Sequence, residues 1–482
     1  MDKSTNDARN PHRGWEQTNL IHRLCHALEI ASLTVEHLVP DGFADLKNPS
    51  ASIRPEKTIA ETAMLLHGAT LAIARPEVSE RIHRIARQLI PQARSSQIRL
   101  SLALNPALAF DYSLAHIVLT RLGYPDADFE KLLIQCRTAQ AHAGRELLPH
   151  RVMEHEWIDT LWKECRPEGH RRLERTARLS ILGHPMDLFA ATDDDLYAFT
   201  HAIMHVTGCQ HNPALLPRSR AVLLAEAEAV LARCLDAQDY GRAGEILLAW
   251  PLTGKHWSPA ATFAFHVLAE VQDKAGFLPM PASRMSELQT RQGSDRTHYL
   301  LATAYHTAYV MGLLCAAALQ PGCAPPISIS TKRSTPGSAR QLLSLLDDSS
   351  KAPHWRDTFD KLDSPQADAL TGLLFNIALQ RNAGRRDFAA LDKTLRLGHS
   401  LGLATIPAAS QAAELLERIA AYTNTLQVPP VENPIPGTIT SPSSATISAA
   451  PMPSTSGPAT SSPSISGTSI AGTPPKFLTA QA

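Results

Sequence analysis

A run of three carboxylates followed by regularly spaced tyrosine and histidine is the strongest chemical signal in this sequence. Asp194 and Asp195 end that run at the start of a predicted helix. One face of the helix then carries Tyr197, His201 and His205, spaced four residues apart. Ionisable groups on an otherwise apolar helix are expensive to bury, so this face predicts a polar centre. A carboxylic acid could donate a proton there, and an imidazole can transfer protons in either direction.

Two further helices carry the same residue types. The Tyr-x3-His spacing recurs at residues 112–116, and a predicted helix from His298 to Leu319 also contains tyrosine and histidine. Several helices of this kind predict one shared polar centre, with an aspartate as acid and two histidines as base or orienting groups. The candidate catalytic residues are Asp194, Asp195, His201 and His306, and the candidate ligand-binding residues are Tyr197, His205, Tyr305, Tyr309 and His116.

Each candidate also has a structural explanation. Thr192 and Asp195 fit a capping box, in which two side chains satisfy free amides at a helix start. His205 is better explained as a hydrogen-bonded core histidine, whereas His201 fits a functional and a structural role equally. A zinc protease places glutamate after its first histidine, and Ala202 stands there instead. We therefore predict no metal site, and the sequence does not identify a cofactor.

Composition narrows the class of protein. Lys plus Arg and Asp plus Glu number 46 each, so no net charge draws the chain to nucleic acid or an anionic membrane. Seven widely spaced cysteines without a CxxC motif argue against a disulfide framework. The start of the chain has no apolar signal segment, and the longest apolar run, Ala308 to Leu319, is too short to span a bilayer. We expect a cytoplasmic protein with a small-molecule substrate, no nucleic-acid partner and no membrane span.

Helical periodicity dominates the chain, and alternating β-branched runs are scarce. The sequence predicts an all-α fold of helical hairpins, forming an α/α toroid or a solenoid-like bundle, with a disordered C-terminal tail. The expected parts are a disordered N-terminus (1–16), a main helical domain (17–319), a loop rich in Pro, Gly, Ser and Thr (320–338), a C-terminal helical segment (339–427) and a disordered Pro/Ser/Thr-rich tail (428–482).

One turn resembles a known architecture. The segment Glu270 to Pro279 ends an apolar helix with a glutamine, a short polar stretch, a glycine and a phenylalanine. This pattern resembles the turn repeated in α/α-toroid proteins, namely terpenoid cyclases, protein prenyltransferases and lanthionine-cyclase-like proteins. The motifs Asp195-Leu196-Tyr197, Thr200-His201 and Tyr305-His306-Thr307 around it also resemble an uncharacterised bacterial helical family. The resemblance covers about residues 100–320 and implies helical hairpins around a central cavity.

The mechanisms of those relatives do not transfer residue by residue. The segment Thr192 to Asp195 does not match the Asp-x-Asp-Asp acid motif of protonation-driven cyclases, and the Cys25-His26 dipeptide lies far from where lanthionine cyclases place their zinc ligands. The resemblance implies a small-molecule enzyme of toroid-cyclase type, with terpenoid or other natural-product cyclisation by acid–base chemistry as the expected reaction. Aromatic residues make up only 5%, which counts against a carbocation cyclase. The alternatives are a non-catalytic helical scaffold that binds a partner protein and a secreted bacterial effector.

Overall fold

The computed structural model describes residues 15–38, 43–45, 48–53, 55–138, 146–163, 167–212, 216–254, 256–281, 283–331, 335–346 and 353–425. Almost all regular structure in these residues is helical. The α-helices are α1 Gln17–Glu36, α2 Pro55–Ala69, α3 Pro76–Ala93, α4 Ser96–Leu104, α5 Ala109–Arg121, α6 Ala127–Thr138, α7 Pro149–Lys163, α8 Pro167–Leu179, α9 Asp193–Thr207, α10 Arg220–Asp236, α11 Tyr240–Leu247, α12 Ala249–Thr253, α13 Pro259–Ala275, α14 Met285–Thr290, α15 Gly293–Ala318, α16 Ser338–Leu343, α17 His354–Phe359, α18 Ser364–Ala369, α19 Thr371–Gly384, α20 Phe388–Ser400 and α21 Pro407–Thr425.

The predicted all-α class is confirmed, with one small addition. Strands β1 (Phe43–Asp45) and β2 (Asn48–Ile53) form an antiparallel hairpin that pairs Phe43 with Ile53 and Asp45 with Asn48. The sequence pattern did not predict this hairpin because its strands are too short for a clear alternation of apolar and polar residues. The predicted disordered tail (428–482) lies outside the described residues, as do residues 1–14 of the predicted disordered N-terminus.

Capping residues fix the two ends of α9 and of α13. Thr192 and Asp195 form the predicted capping box at the start of α9, and Gly208 ends that helix in the left-handed conformation with φ 65°. Ser258 caps α13, and Gly276 ends it with φ 79°. The glycine of the toroid-like turn is therefore a helix cap, because only glycine adopts this conformation without steric cost.

Six helices close into a ring. Helix α2 packs against α5, α5 against α7, α7 against α9, α9 against α11, α11 against α15, and α15 again against α2. The other helices flank this helical ring: α1 packs against α15 and α3, α8 against α7 and α9, and α10 and α13 against α11. Closure of the ring corresponds to the toroid form of the predicted fold rather than to an open solenoid.

The described residues up to 419 form one compact unit, which includes the described part of the predicted loop 320–338. Helices α16 and α20 pack against α19, and α19 packs against α10. The described residues 420–425, at the end of α21, belong to a second unit. Helix α15 is the one described helix that is long and apolar enough by itself to cross a bilayer, and most of its apolar stretch is buried inside the protein. Packing against α1, α2 and α11 explains this apolar character.

Close helix contact at Gly312 gives a test of the ring. A Cβ added there would lie 2.6 Å from Ala27 Cβ and 2.9 Å from Leu65 Cδ1, where α15 meets α1 and α2. We expect Gly312→Ala to lower the free energy of unfolding by about 1–3 kcal/mol through overpacking. Gly384→Ala is the control, because an added Cβ there meets no described atom within 4 Å. Helix propensity should leave that control unchanged or about 1 kcal/mol more stable. Equal stability of the two variants in urea denaturation would contradict the close packing.

Candidate active site

Side chains from all six helices of the ring form one continuous polar network near one end of the ring. We call this network the polar belt. Its members are Glu56 and Glu61 of α2, Asp111 and Tyr112 of α5, His150, Arg151 and Glu154 of α7, Tyr197, Thr200 and His201 of α9, Glu245 of α11, and Tyr305 and His306 of α15.

The centre of the belt is an imidazole held between two carboxylates. His306 Nδ1 lies 3.4 Å from Glu61 Oε1, and His306 Nε2 lies 3.2 Å from Glu245 Oε1. Burial alone would lower the pKa of His306, but the charge of Glu61 and the hydrogen bonds that His306 donates to both carboxylates overcome it and raise the pKa to about 10. Burial would likewise raise the pKa of Glu245, yet His306 and His201 lower it to about 2. At neutral pH this group is therefore an imidazolium between two carboxylates.

The belt continues from Glu245 into α9. The Thr200 hydroxyl donates to Glu245 Oε2 at 3.1 Å. The adjacent His201 places Nδ1 3.0 Å from the carbonyl oxygen of Tyr197, and its imidazole stacks on the Tyr197 ring at 3.7 Å between centroids. Burial lowers the pKa of His201 and outweighs the nearby Glu245 charge, so this imidazole is neutral. A neutral imidazole that donates through Nδ1 leaves Nε2 as a proton acceptor.

On α7 the belt holds a carboxyl group that titrates near neutrality. Arg151 forms an ion pair with Glu154 and another with Asp111, at 3.0 Å. Burial raises the pKa of Glu154 to about 7, although the Arg151 charge opposes the shift. Glu154 therefore exchanges its proton at physiological pH. Glu61 and Glu245 differ from it, because their pKa values are lowered and both carboxylates stay charged. Such a pKa is what general acid–base chemistry requires.

Three buried aromatic side chains lie next to the belt, toward the other end of the helical ring. His67 of α2 packs edge-on to Trp157 of α7 at 5.5 Å between ring centroids, and Trp157 stacks on His205 of α9 at 5.3 Å. Burial lowers the pKa of His67 to about 4 and that of His205 well below its usual value, so both are neutral. Nε2 of His67, Nε1 of Trp157 and both ring nitrogens of His205 lack a hydrogen-bond partner of good geometry among the described residues. Buried polar atoms are normally paired, so four such nitrogens in one cluster are unusual for a protein interior.

The structure brings many of the predicted site residues together. His201, His306, Tyr197 and Tyr305 belong to the belt, and the Tyr305 hydroxyl interacts with Glu61. The other predicted ligand-binding groups on these helices lie beside the belt. Tyr309 is buried one turn further along α15, where its hydroxyl lies 2.9 Å from Thr62 Oγ1. His205 is buried against Trp157, one turn further along α9.

Three predicted residues occupy different places. Asp195 Oδ2 accepts hydrogen bonds from the backbone amide and hydroxyl of Thr192, both at 2.7 Å, so this carboxylate caps α9. Asp194 is exposed at the start of the same helix, where its charge acts on His150. His116 does not reach the belt: its Nε2 lies 2.5 Å from Glu130 Oε2, between α5 and α6. The matching Tyr-x3-His spacing in α5 therefore does not put its histidine at the shared centre.

The sequence pattern missed the glutamates of the belt. Glu245 is the single carboxylate of α11, where it is surrounded by buried small and apolar residues. Such a lone buried carboxylate was the available signal. Two glycines explain its position, because an added Cβ would lie 3.2 Å from Thr307 at Gly241 and 2.6 Å from Val310 at Gly244. These glycines let α11 approach α15 closely and bring Glu245 to His306.

Fold and site together define an all-α ring protein with an ionisable centre. The chain belongs to the family described as Domain of unknown function (DUF6895), which it matches over residues 26–316. The matched range contains all six helices of the ring except the last two residues of α15, and it contains every residue of the belt. No curated protein and no solved structure matches the chain. In the described part of the chain, no group of three or more His, Cys, Asp or Glu side chains is arranged to hold a metal ion.

The charge of His306 predicts a specific pH dependence of stability. The pKa is about 10 in the folded protein and about 6.5 in an unfolded chain, so the stabilisation is complete below pH 6.5 and is lost as the pH rises toward 10. We expect His306→Gln to cost about 3 kcal/mol at pH 6.5, since it leaves two carboxylates without their cation. The difference from wild type should shrink steadily between pH 7 and pH 10.

The matched control for this measurement is His298→Gln, on an exposed turn of the same helix. We expect it to change the free energy of unfolding by less than about 0.5 kcal/mol at every pH. Urea denaturation of both variants and the wild type at several pH values measures the effect. A His306→Gln deficit that stays constant from pH 6.5 to pH 10 would show that the side chain only fills space.

Proposed function

We propose that this protein is an enzyme that performs general acid–base chemistry on a small polar molecule at the polar belt. The observation that carries the proposal is the meeting of ionisable side chains from all six helices of the ring. Burying the Glu245 carboxylate and partly burying Glu61, Glu154 and His306 costs stability, which a fold that needed only packing would avoid with apolar side chains. Groups with strongly shifted pKa values in one interior site are typical of catalytic centres.

We assign proton transfer to Glu154, because its pKa of about 7 lets it act as acid or base at physiological pH. Tyr197 lies beside it, is 40% exposed, and presents a hydroxyl and an aromatic face to a ligand. His201, neutral and stacked on Tyr197, is the second proton acceptor. Of the two roles expected for His306 from sequence, base or orienting group, we assign the second, since a charged imidazolium orients its carboxylates and cannot accept a proton.

The charges of the belt favour a neutral or positively charged polar substrate. Arg151 and His306 are each held between two carboxylates, so neither is free to bind an anion. A prenyl diphosphate would need unpaired cations or a metal-binding set of carboxylates. Among toroid-type reactions, proton-initiated cyclisation or elimination on a polar substrate therefore fits better than terpenoid diphosphate ionisation. A cytoplasmic location and a bacterial source remain expectations from sequence.

A scaffold that binds a partner protein is the second candidate, and one observation favours it. Leu100 and Leu104 of α4 are 60% and 76% exposed, and Ile134 of α6, which packs against α4, is 49% exposed. Large exposed apolar side chains close together are typical of protein contacts. For this candidate, Leu104→Lys would abolish partner binding in a pull-down, whereas belt variants would not affect it.

Metabolite profiling tests the enzymatic proposal. The full chain is incubated with a pool of polar metabolites, and consumption is followed by mass spectrometry. We expect wild type to convert at least one compound and Glu154→Gln to slow that conversion by about 10²–10⁴-fold, the usual contribution of a general acid or base. Glu174→Gln on α8 is the control, because its partly exposed pair with Arg178 contributes little. A wild-type protein that converts nothing, or a folded Glu154→Gln that retains full turnover, would overturn the proposal.

The pH dependence of the rate provides a separate prediction. We expect a limb in the pH–rate profile with its midpoint near pH 7, set by Glu154. Arg151→Gln removes the positive charge that lowers the pKa of Glu154, so the limb should move to higher pH. Glu154→Gln should remove the limb. A limb that stays at the same pH in Arg151→Gln would assign it to another group.

A further inference from the structure

A pocket lies between α5, α6 and α7, and none of its lining residues belongs to the belt. Its volume is about 340 Å³, within the range of small-molecule sites. His116, which the sequence singled out as a ligand-binding residue, lines this pocket together with Glu130 and Trp162. His116 therefore lines a pocket that has no part in the activity proposed for the belt.

The inner wall of the pocket is held rigidly. Glu130 accepts hydrogen bonds from His116 Nε2 at 2.5 Å and from the indole N–H of Trp162. His116 is 1% exposed, and its Nδ1 has no partner among the described residues. Both oxygens of Glu130 are thus engaged, so this carboxylate fixes the two aromatic side chains through its hydrogen bonds.

Arg121 is the charged lining side chain that is left to pair with a ligand group. Asp126, the other carboxylate of the pocket, pairs with Arg99 at 2.6 Å and caps α6 through the Phe129 amide at 2.9 Å. Arg121 also lines the pocket and forms no ion pair or hydrogen bond within the described residues. Its guanidinium, at the exposed last residue of α5, can therefore form a bidentate pair with an incoming acid.

The rest of the lining is mainly apolar. Ile117, Pro125, Leu161 and the Trp162 ring line the pocket, and the Thr120 hydroxyl lies beside Arg121 in the chain. We propose that this pocket binds a small organic carboxylate with a flat apolar body, whose acid group pairs with Arg121 and whose body packs against Leu161 and Trp162. Such a ligand uses both the Arg121 guanidinium, which has no hydrogen bond or ion pair within the described residues, and the apolar wall, and the site shares no residue with the polar belt.

Binding of 2-naphthoate and of its neutral analogue 2-naphthamide to the full chain, measured by calorimetry, tests this site. We expect the acid to bind and the amide to bind at least tenfold more weakly, because only the acid forms the charged pair. Arg121→Gln should weaken binding of the acid about tenfold or more. Arg385→Gln is the control: it removes an equally exposed arginine just past the end of α19 and should leave the affinity unchanged.

A third variant tests the location. Ala127 lines the pocket but is exposed, so Ala127→Phe should occupy the space without disturbing the core, and we expect it to abolish binding. Thermal melts check that each variant stays folded. Three results would overturn the proposal: no binding of the acid to wild type, equal binding of acid and amide, or undiminished binding in Arg121→Gln or Ala127→Phe. Glu154→Gln should not affect this binding, which separates the pocket from the function of the belt.

Discussion

The imidazolium of His306 between Glu61 and Glu245 is the interaction on which the rest of the centre depends. It joins α2, α11 and α15, the three helices that close the ring, through charges that would repel each other without it. A buried pair of carboxylates with no cation between them would be strongly destabilising. These three charges also act on His201: Glu245 and Glu61 raise the pKa of that imidazole and His306 lowers it, while burial, the largest cause, keeps it below its usual value.

The direction of the helices explains why acidic side chains are stable at the belt. Helices α2, α5 and α9 begin near the belt and carry Glu56, Asp111 and the Asp193–Asp195 run in their first turns. The positive end of each helix dipole stabilises a carboxylate there. Toward the opposite ends of α2, α9 and α15 the lining is apolar, as with Leu71, Met204 and Leu313. The helical ring thus has one polar end and one apolar end.

The family match covers the ring and leaves out the last helices of the chain. It contains the whole belt and stops near the end of α15, so α16 to α21 lie outside it. The matched domain therefore coincides with the helical ring, whose interior needs all six helices. Both the belt and the pocket at Arg121 lie within this unit, on different sides of α5 and α7.

The sequence by itself determined the helical class, the capping box at Thr192 and Asp195, and the presence of histidine and tyrosine on helices that meet. These features depend on local spacing and on the chemistry of neighbouring residues, which the sequence states directly. Only the tertiary structure decided which ionisable groups share a site. Glu61, Glu154 and Glu245 come from three helices far apart in the chain, and of these only Glu245 carries a local signal, as a lone carboxylate among small and apolar residues. His116 has the same local spacing as His201 but faces a different pocket, because a helix repeats every 3.6 residues whereas its neighbours decide which face is inside.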